Sequence, residues 1–185
     1  MAKRRNSEKI RKMTYMAILT ALVFTLQLIA PYIKPWGYAV ALGIVPMIVG
    51  AAMFGPLCGM WLAVAIAGAT CITDWASVTA FFSDKPFLAI FMLIAKIVVA
   101  GAVCGLVYKL IAKKNEVVAA VVASIVAPVV NTSIFLACTL LFFSNVVGGW
   151  AFIAIVMPNI AVEFLMCPIL APALIRVALA FKRLK

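Results

Sequence analysis

An all-α integral membrane protein with six transmembrane helices and both termini cytoplasmic is the fold the sequence predicts, on three observations. Of the 185 residues, 68% are hydrophobic and only 11% are charged, whereas a soluble domain typically carries about a quarter charged residues to cover its surface. The apolar residues fall into six long runs separated by short breaks rich in polar residues, Pro or Gly. The Lys and Arg residues gather in three regions that share one side of a six-span bundle, as cytoplasmic loops do. The length suits one transmembrane domain over 1–185.

Taken in order, residues 1–12 form a basic cytoplasmic arm containing Lys3, Arg4, Arg5, Lys9, Arg11 and Lys12. The first helix is predicted over about 13–30. A secretory signal peptide begins similarly, but this run lasts about 18 residues, close to the ~20 needed to span a bilayer. It also ends at Pro31-Tyr32-Ile33-Lys34 without a small-x-small cleavage site. The second helix spans 38–54, and Gly55-Pro56 makes a tight turn into the third, 57–73. A longer polar connection follows, marked by Asp74-Trp75, Ser83-Asp84-Lys85 and Pro86, with room for a short helical piece. The fourth helix covers 87–112, and Lys113-Lys114-Asn115-Glu116 forms the next loop. The fifth, 117–143, contains Pro128 as an expected kink. The sixth, 150–180, contains Pro158, Pro168 and Pro172, which membrane helices tolerate when neighbours satisfy the freed carbonyls.

Charge distribution sets the orientation. The N-terminal arm, the loop near Lys109, Lys113 and Lys114, and the C-terminal end with Arg176, Lys182, Arg183 and Lys185 together hold thirteen of the sixteen basic residues. Lys34 and Lys85 fall on the opposite side. The net charge of +11 does not signal nucleic acid, because the basic residues do not interleave with aromatics along a groove. The five cysteines all lie in apolar stretches without a C-x-x-C pair and read as buried free thiols. There is no histidine, which removes His-based triads, His metal sites and imidazole acid–base chemistry. No metal and no cofactor is expected.

Lys96 and Glu163 are the only charged residues deep inside predicted helices. An intramembrane charge costs about 2.5–3.5 kcal/mol on insertion scales, so each is a functional candidate by default. At about 1.5 Å per residue, Lys96 lies roughly 14 Å from the outer end of the fourth helix, Asn131 roughly 18 Å into the fifth and Asn159 roughly 14 Å into the sixth. Glu163 follows Asn159 at i+4 and shares its face. Two readings of this layer stand side by side. In one, Lys96 pairs with Glu163 while the asparagines glue helices together. In the other, Lys96 meets an anionic group of a solute while Asn131, Thr132, Asn159 and Glu163 bind its polar atoms. Asp74, Trp75 and Trp36, at the outer mouth, are placed either to close over the site or to anchor the interface. Ala17 and Ala21 form a small-x-x-x-small pattern that lets another helix approach closely, and Gly101 and Gly105 repeat it as a packing device.

With these features the chain resembles the substrate-binding S components of energy-coupling factor (ECF) vitamin transporters. The resemblance is carried by the basic arm leading into Thr14-Tyr15-Met16-Ala17-Ile18-Leu19-Thr20-Ala21, similar to the family's A-x-x-x-A docking helix, and by the run from Val45 through Gly55-Pro56 to Gly59. The stretches Ile94-Ala95-Lys96-Ile97, Gly105 to Lys109 and Pro128 to Thr132 look like the pantothenate-type subgroup. The resemblance implies capture of a small vitamin from outside a bacterial cytoplasmic membrane. It further implies delivery through a membrane coupling protein, contacted by Ala17 and Ala21, and two cytoplasmic ATPase subunits. Pantothenate is a carboxylate with hydroxyl and amide groups and suits one buried lysine, although Glu163 would repel it unless Lys96 or a proton intervenes. Other anionic vitamins suit it nearly as well. The chain has no G-x-x-x-x-G-K-[ST] loop, so the energy would come from partners. Competing classes are an intramembrane enzyme, which lacks clustered carboxylates and a nucleophile–base pair here, a self-contained channel or carrier, and a structural scaffold, which the two buried charges argue against.

Overall fold

The structure is a computed structural model that describes residues 2–33, 40–148 and 150–183. All regular structure among these residues is helical: α1 (Ala2–Ile29), a 3-10 turn (Ala30–Tyr32), α2 (Ile44–Phe54), α3 (Pro56–Thr73), α4 (Trp75–Phe82), α5 (Pro86–Ile111), α6 (Glu116–Phe142), α7 (Ser144–Val147) and α8 (Ala151–Arg183). The basic arm is itself helical and continuous with the first span, since residues 2–29 contain neither Gly nor Pro. The polar connection after α3 holds the short α4, as the sequence suggested. Helices α6 and α8 run without interruption through Pro128 and through Pro158, Pro168 and Pro172.

Among the described residues, five helical segments are long and apolar enough to cross a membrane: Lys9–Tyr32, Pro56–Thr73, Pro86–Ile111, Glu116–Phe142 and Val156–Ala178. The second predicted helix differs. It starts at Ile44 rather than 38, and its 11 residues reach only about 17 Å against a hydrocarbon core of about 30 Å. Tyr38 and Ala39 lie outside the described residues, but Val40 to Gly43 are not helical. Glycine at position 43 is a poor helix former, and the chain enters the helix there instead.

Burial explains the role of this short helix. Ile44 to Ala51 are buried in unbroken succession, and a helix apolar all round belongs inside a core. α2 touches α1, α3, α5, α6 and α8, so the five spanning segments surround it. The large exposed side chains, such as Leu57, Phe87, Leu141 and Trp150, lie on the outside of this ring, where lipid replaces water as the solvent. All five cysteines are free thiols and three are buried.

Two small-residue contacts fix how α5 crosses α3. A Cβ added to Gly101 would lie 2.7 Å from the Gly59 carbonyl oxygen, and one added to Gly59 would lie 2.6 Å from that of Gly101. One turn further along, a Cβ on Gly105 would lie 2.6 Å from Pro56 Cα. The Gly101 and Gly105 pair therefore packs the bundle, main chain on main chain. Ala17 and Ala21, by contrast, are exposed on α1 beside exposed Met13, Ile18 and Leu22.

Candidate functional site

The polar positions of the spanning helices converge on one cavity of about 140 Å³. A single water needs about 10–15 Å³ on this kind of measure, so the space is several times larger than an isolated water requires. Lys96 from α5, Asn131 and Thr132 from α6, Asn159 and Glu163 from α8, and Asp74 from the end of α3 all line it. Six of the eight residues expected to bind a solute thus come together from four separate helices. Trp36 lies outside the described residues. Trp75 opens α4 directly after Asp74, and the placement of its side chain is not described.

Lys96 is held at an aromatic wall. Its ammonium sits 4.4 Å from the centroid of the Phe135 ring, a cation–π contact worth about 2 kcal/mol when desolvated. Phe135 is braced in turn by Phe81 at 6.3 Å and Phe152 at 5.9 Å between ring centroids, and Phe81 meets Phe143 edge-on at 5.2 Å. This cluster ties α4 to α5 and α6 around Ala89 and Met92. Lys96 also lies within electrostatic reach of Glu163 and Asp74.

Glu163 also has a partner in the backbone. Its Oε1 accepts the backbone N–H of Ala41 at 3.1 Å. Non-helical backbone at membrane depth persists only where its polar groups find partners inside the protein, and Ala41 belongs to the segment that leads into α2. The carboxylate therefore sits near the N-terminal end of α2, where the helix dipole favours negative charge. A buried acid in a solute cavity is awkward as a second anion beside a carboxylate ligand. It is not awkward as the partner of an unwound backbone.

Sequence reasoning missed several lining residues. Phe81, Phe82, Met92 and Phe135 look like ordinary apolar residues of their helices, and nothing in a periodicity marks them. Gln27 and Thr70 also line the cavity. Gln27 did leave a signal, being the sole glutamine of the chain and set in the apolar run of the first helix. The side-chain oxygens of Gln27 and Asn131 are buried without a hydrogen-bond partner. No group of three or more metal-ligating side chains occurs among the described residues.

Compared with known proteins, the chain shows no significant similarity to any curated protein or solved structure. Residues 11–181 match the family described as ECF transporter, substrate-specific component. That match covers nearly the whole chain, overlaps every spanning helix and includes every described lining residue. The multi-pass helical chain with a cavity between its helices therefore belongs to the family of ECF transporter substrate-specific components.

Proposed function

We propose that this cavity captures a small vitamin from the outer face of a bacterial cytoplasmic membrane, with pantothenate the first candidate. The observation that carries the reading is the convergence of Lys96, Asn131, Thr132, Asn159, Glu163 and Asp74, from four helices, on one cavity. Lys96 takes the carboxylate, and the amide and hydroxyl side chains take the hydroxyl and amide groups. Glu163 is occupied by Ala41 and by the start of α2, which lessens its repulsion of an anionic ligand. Trp36 and Trp75 belong to the outer mouth in this reading. The orientation rests on the positive-inside count, with six crossings and both termini cytoplasmic. In that count α2, extended by the residues before it, supplies the sixth crossing.

The test is equilibrium binding of pantothenate to the purified protein, together with mass spectrometry of any ligand carried through purification. Saturation at about one pantothenate per chain is expected. Absence of binding across a panel of water-soluble vitamins would retire the reading.

Transport in this proposal requires a membrane coupling protein and two ATPase subunits, because the chain carries no phosphate-binding loop of its own. Ala17 and Ala21, exposed on α1, form the docking face. Replacing both with Leu is expected to abolish copurification with the coupling protein while leaving vitamin affinity unchanged. Uptake by vesicles that contain this chain alone would instead identify a self-contained carrier.

A further inference from the structure

Lys96 rests on a ring rather than on an acid. Among the described residues it joins no ion pair within 4.0 Å, although Glu163 and Asp74 lie within electrostatic reach. Its ammonium instead sits over the face of Phe135, 4.4 Å from the ring centroid. Lysine carries its charge on a flexible four-carbon stem, so something must keep it from closing on either carboxylate. Two contacts between α5 and α6 supply the restraint. Met92 and Lys96 lie one turn apart on α5, and Phe135 and Thr139 lie one turn apart on α6. Thr14, Thr20, Thr25, Thr70 and Thr73 each donate to the carbonyl four residues back in their own helix. Thr139 Oγ1 donates across the interface instead, to Met92 Sδ at 3.6 Å. That rung fixes the register of the two helices, and the next rung sets Lys96 over Phe135. The ring is clamped by Phe81 of α4 and Phe152 of α8, both buried, at 6.3 and 5.9 Å between centroids. Lys96 and Phe135 themselves are only half-buried and line the cavity, so a solute there meets both.

We infer that Phe135 is a positioning residue for anion capture, holding the Lys96 ammonium toward the cavity and away from Glu163 and Asp74; this rests on the reading that the cavity holds the transported solute. A ring face attracts a cation through its quadrupole. It does not use up three N–H donors as carboxylate oxygens would, so the donors stay available to an acid. Without the ring, the ammonium closes on one of the protein's own carboxylates. A ligand then binds only the fraction of molecules in which that internal pair is open, and its apparent affinity falls by that fraction. An uncharged wall thus preorganises the binding charge before the solute arrives.

The test is isothermal titration of pantothenate, and of the primary alcohol that replaces its carboxylate, into wild type and Phe135→Leu. Leucine keeps apolar bulk at the position and removes the π face. Phe135→Leu is expected to lose about fivefold or more in affinity for the acid and less than about twofold for the alcohol. Phenylalanines of increasing fluorination at position 135 form a second series, because fluorine drains negative charge from the ring face with little change of size. Acid affinity should fall step by step along that series while alcohol affinity stays level. The series also decides the point where Phe135→Leu does not fold. Equal losses for acid and alcohol make Phe135 a packing residue and overturn the inference. Acid affinity that stays level or rises with fluorination overturns it too, since the ring then ignores Lys96 or competes with the ligand for it. Failure of the substrate assignment is read separately, in wild type alone. If another carboxylate of the vitamin panel binds in place of pantothenate, that acid and its amide enter the same comparison. If none binds, the proposed function and this inference fall together.

Discussion

Lys96→Met is expected to weaken pantothenate binding by about 100-fold or more. Removing one partner of a buried, hydrogen-bonded charge pair costs about 2–5 kcal/mol, and about 1.4 kcal/mol corresponds to tenfold in affinity. Methionine keeps the length and apolar bulk of the lysine stem, so contact with the Phe135 ring survives while the charge does not. The control is the primary alcohol that replaces the pantothenate carboxylate. Its affinity should be nearly equal in wild type and variant, because it brings no anion for Lys96 to meet. Isothermal titration of both compounds against both proteins reads the result. Equal losses for acid and alcohol would place the carboxylate elsewhere and make Lys96 a packing residue.

Gly101→Ala is expected to be the most damaging small substitution in the bundle. The new methyl would lie 2.7 Å from the Gly59 carbonyl oxygen and 2.9 Å from its carbonyl carbon. Those are main-chain atoms of a helix and cannot turn aside as a side chain would. Overpacking typically costs about 1–3 kcal/mol and sometimes more, and this site belongs at the upper end. The whole of α5 must move away from α3, carrying Lys96 away from Asp74. Gly68→Ala is the matched control, on α3 with nothing within 4 Å of the added methyl. It should be neutral or stabilise by about 0.5–1 kcal/mol, since alanine replaces glycine in a helix interior. Thermal unfolding in detergent separates the two. Similar midpoints would mean that α3 and α5 tolerate a wider spacing.

The sequence made the membrane character, the approximate spans and most of the polar lining legible for a simple reason. Charge is so costly in lipid that Lys96 and Glu163 stand out against an apolar background, and helical rise places them at similar depth. What it obscured was the state of the backbone. The run from 38 to 54 is uniformly apolar, and hydropathy reads apolar helix and apolar unwound chain alike. The start of α2 at Ile44 depends on Gly43 and on a carboxylate from α8 that no local window contains. The same limit applies to Glu163, whose charge was visible but whose partner, the Ala41 N–H, was not. The aromatic wall was hidden differently. Phe81, Phe135 and Phe152 become neighbours only once α4, α6 and α8 are packed, whereas each alone is a common residue of a membrane helix.

The bond between Ala41 and Glu163 joins residues 122 positions apart. A ribosome adding about 5–20 residues per second delivers Glu163 roughly 6 to 24 seconds after Ala41. During that interval the amide entering α2 lacks its final acceptor, and the cavity lacks the wall that α8 contributes. Earlier helices can enter the bilayer and the Gly59–Gly101 crossing can form before this. The cavity is thus completed late, and a nascent chain cut short before α8 can be well inserted while its cavity still lacks a wall.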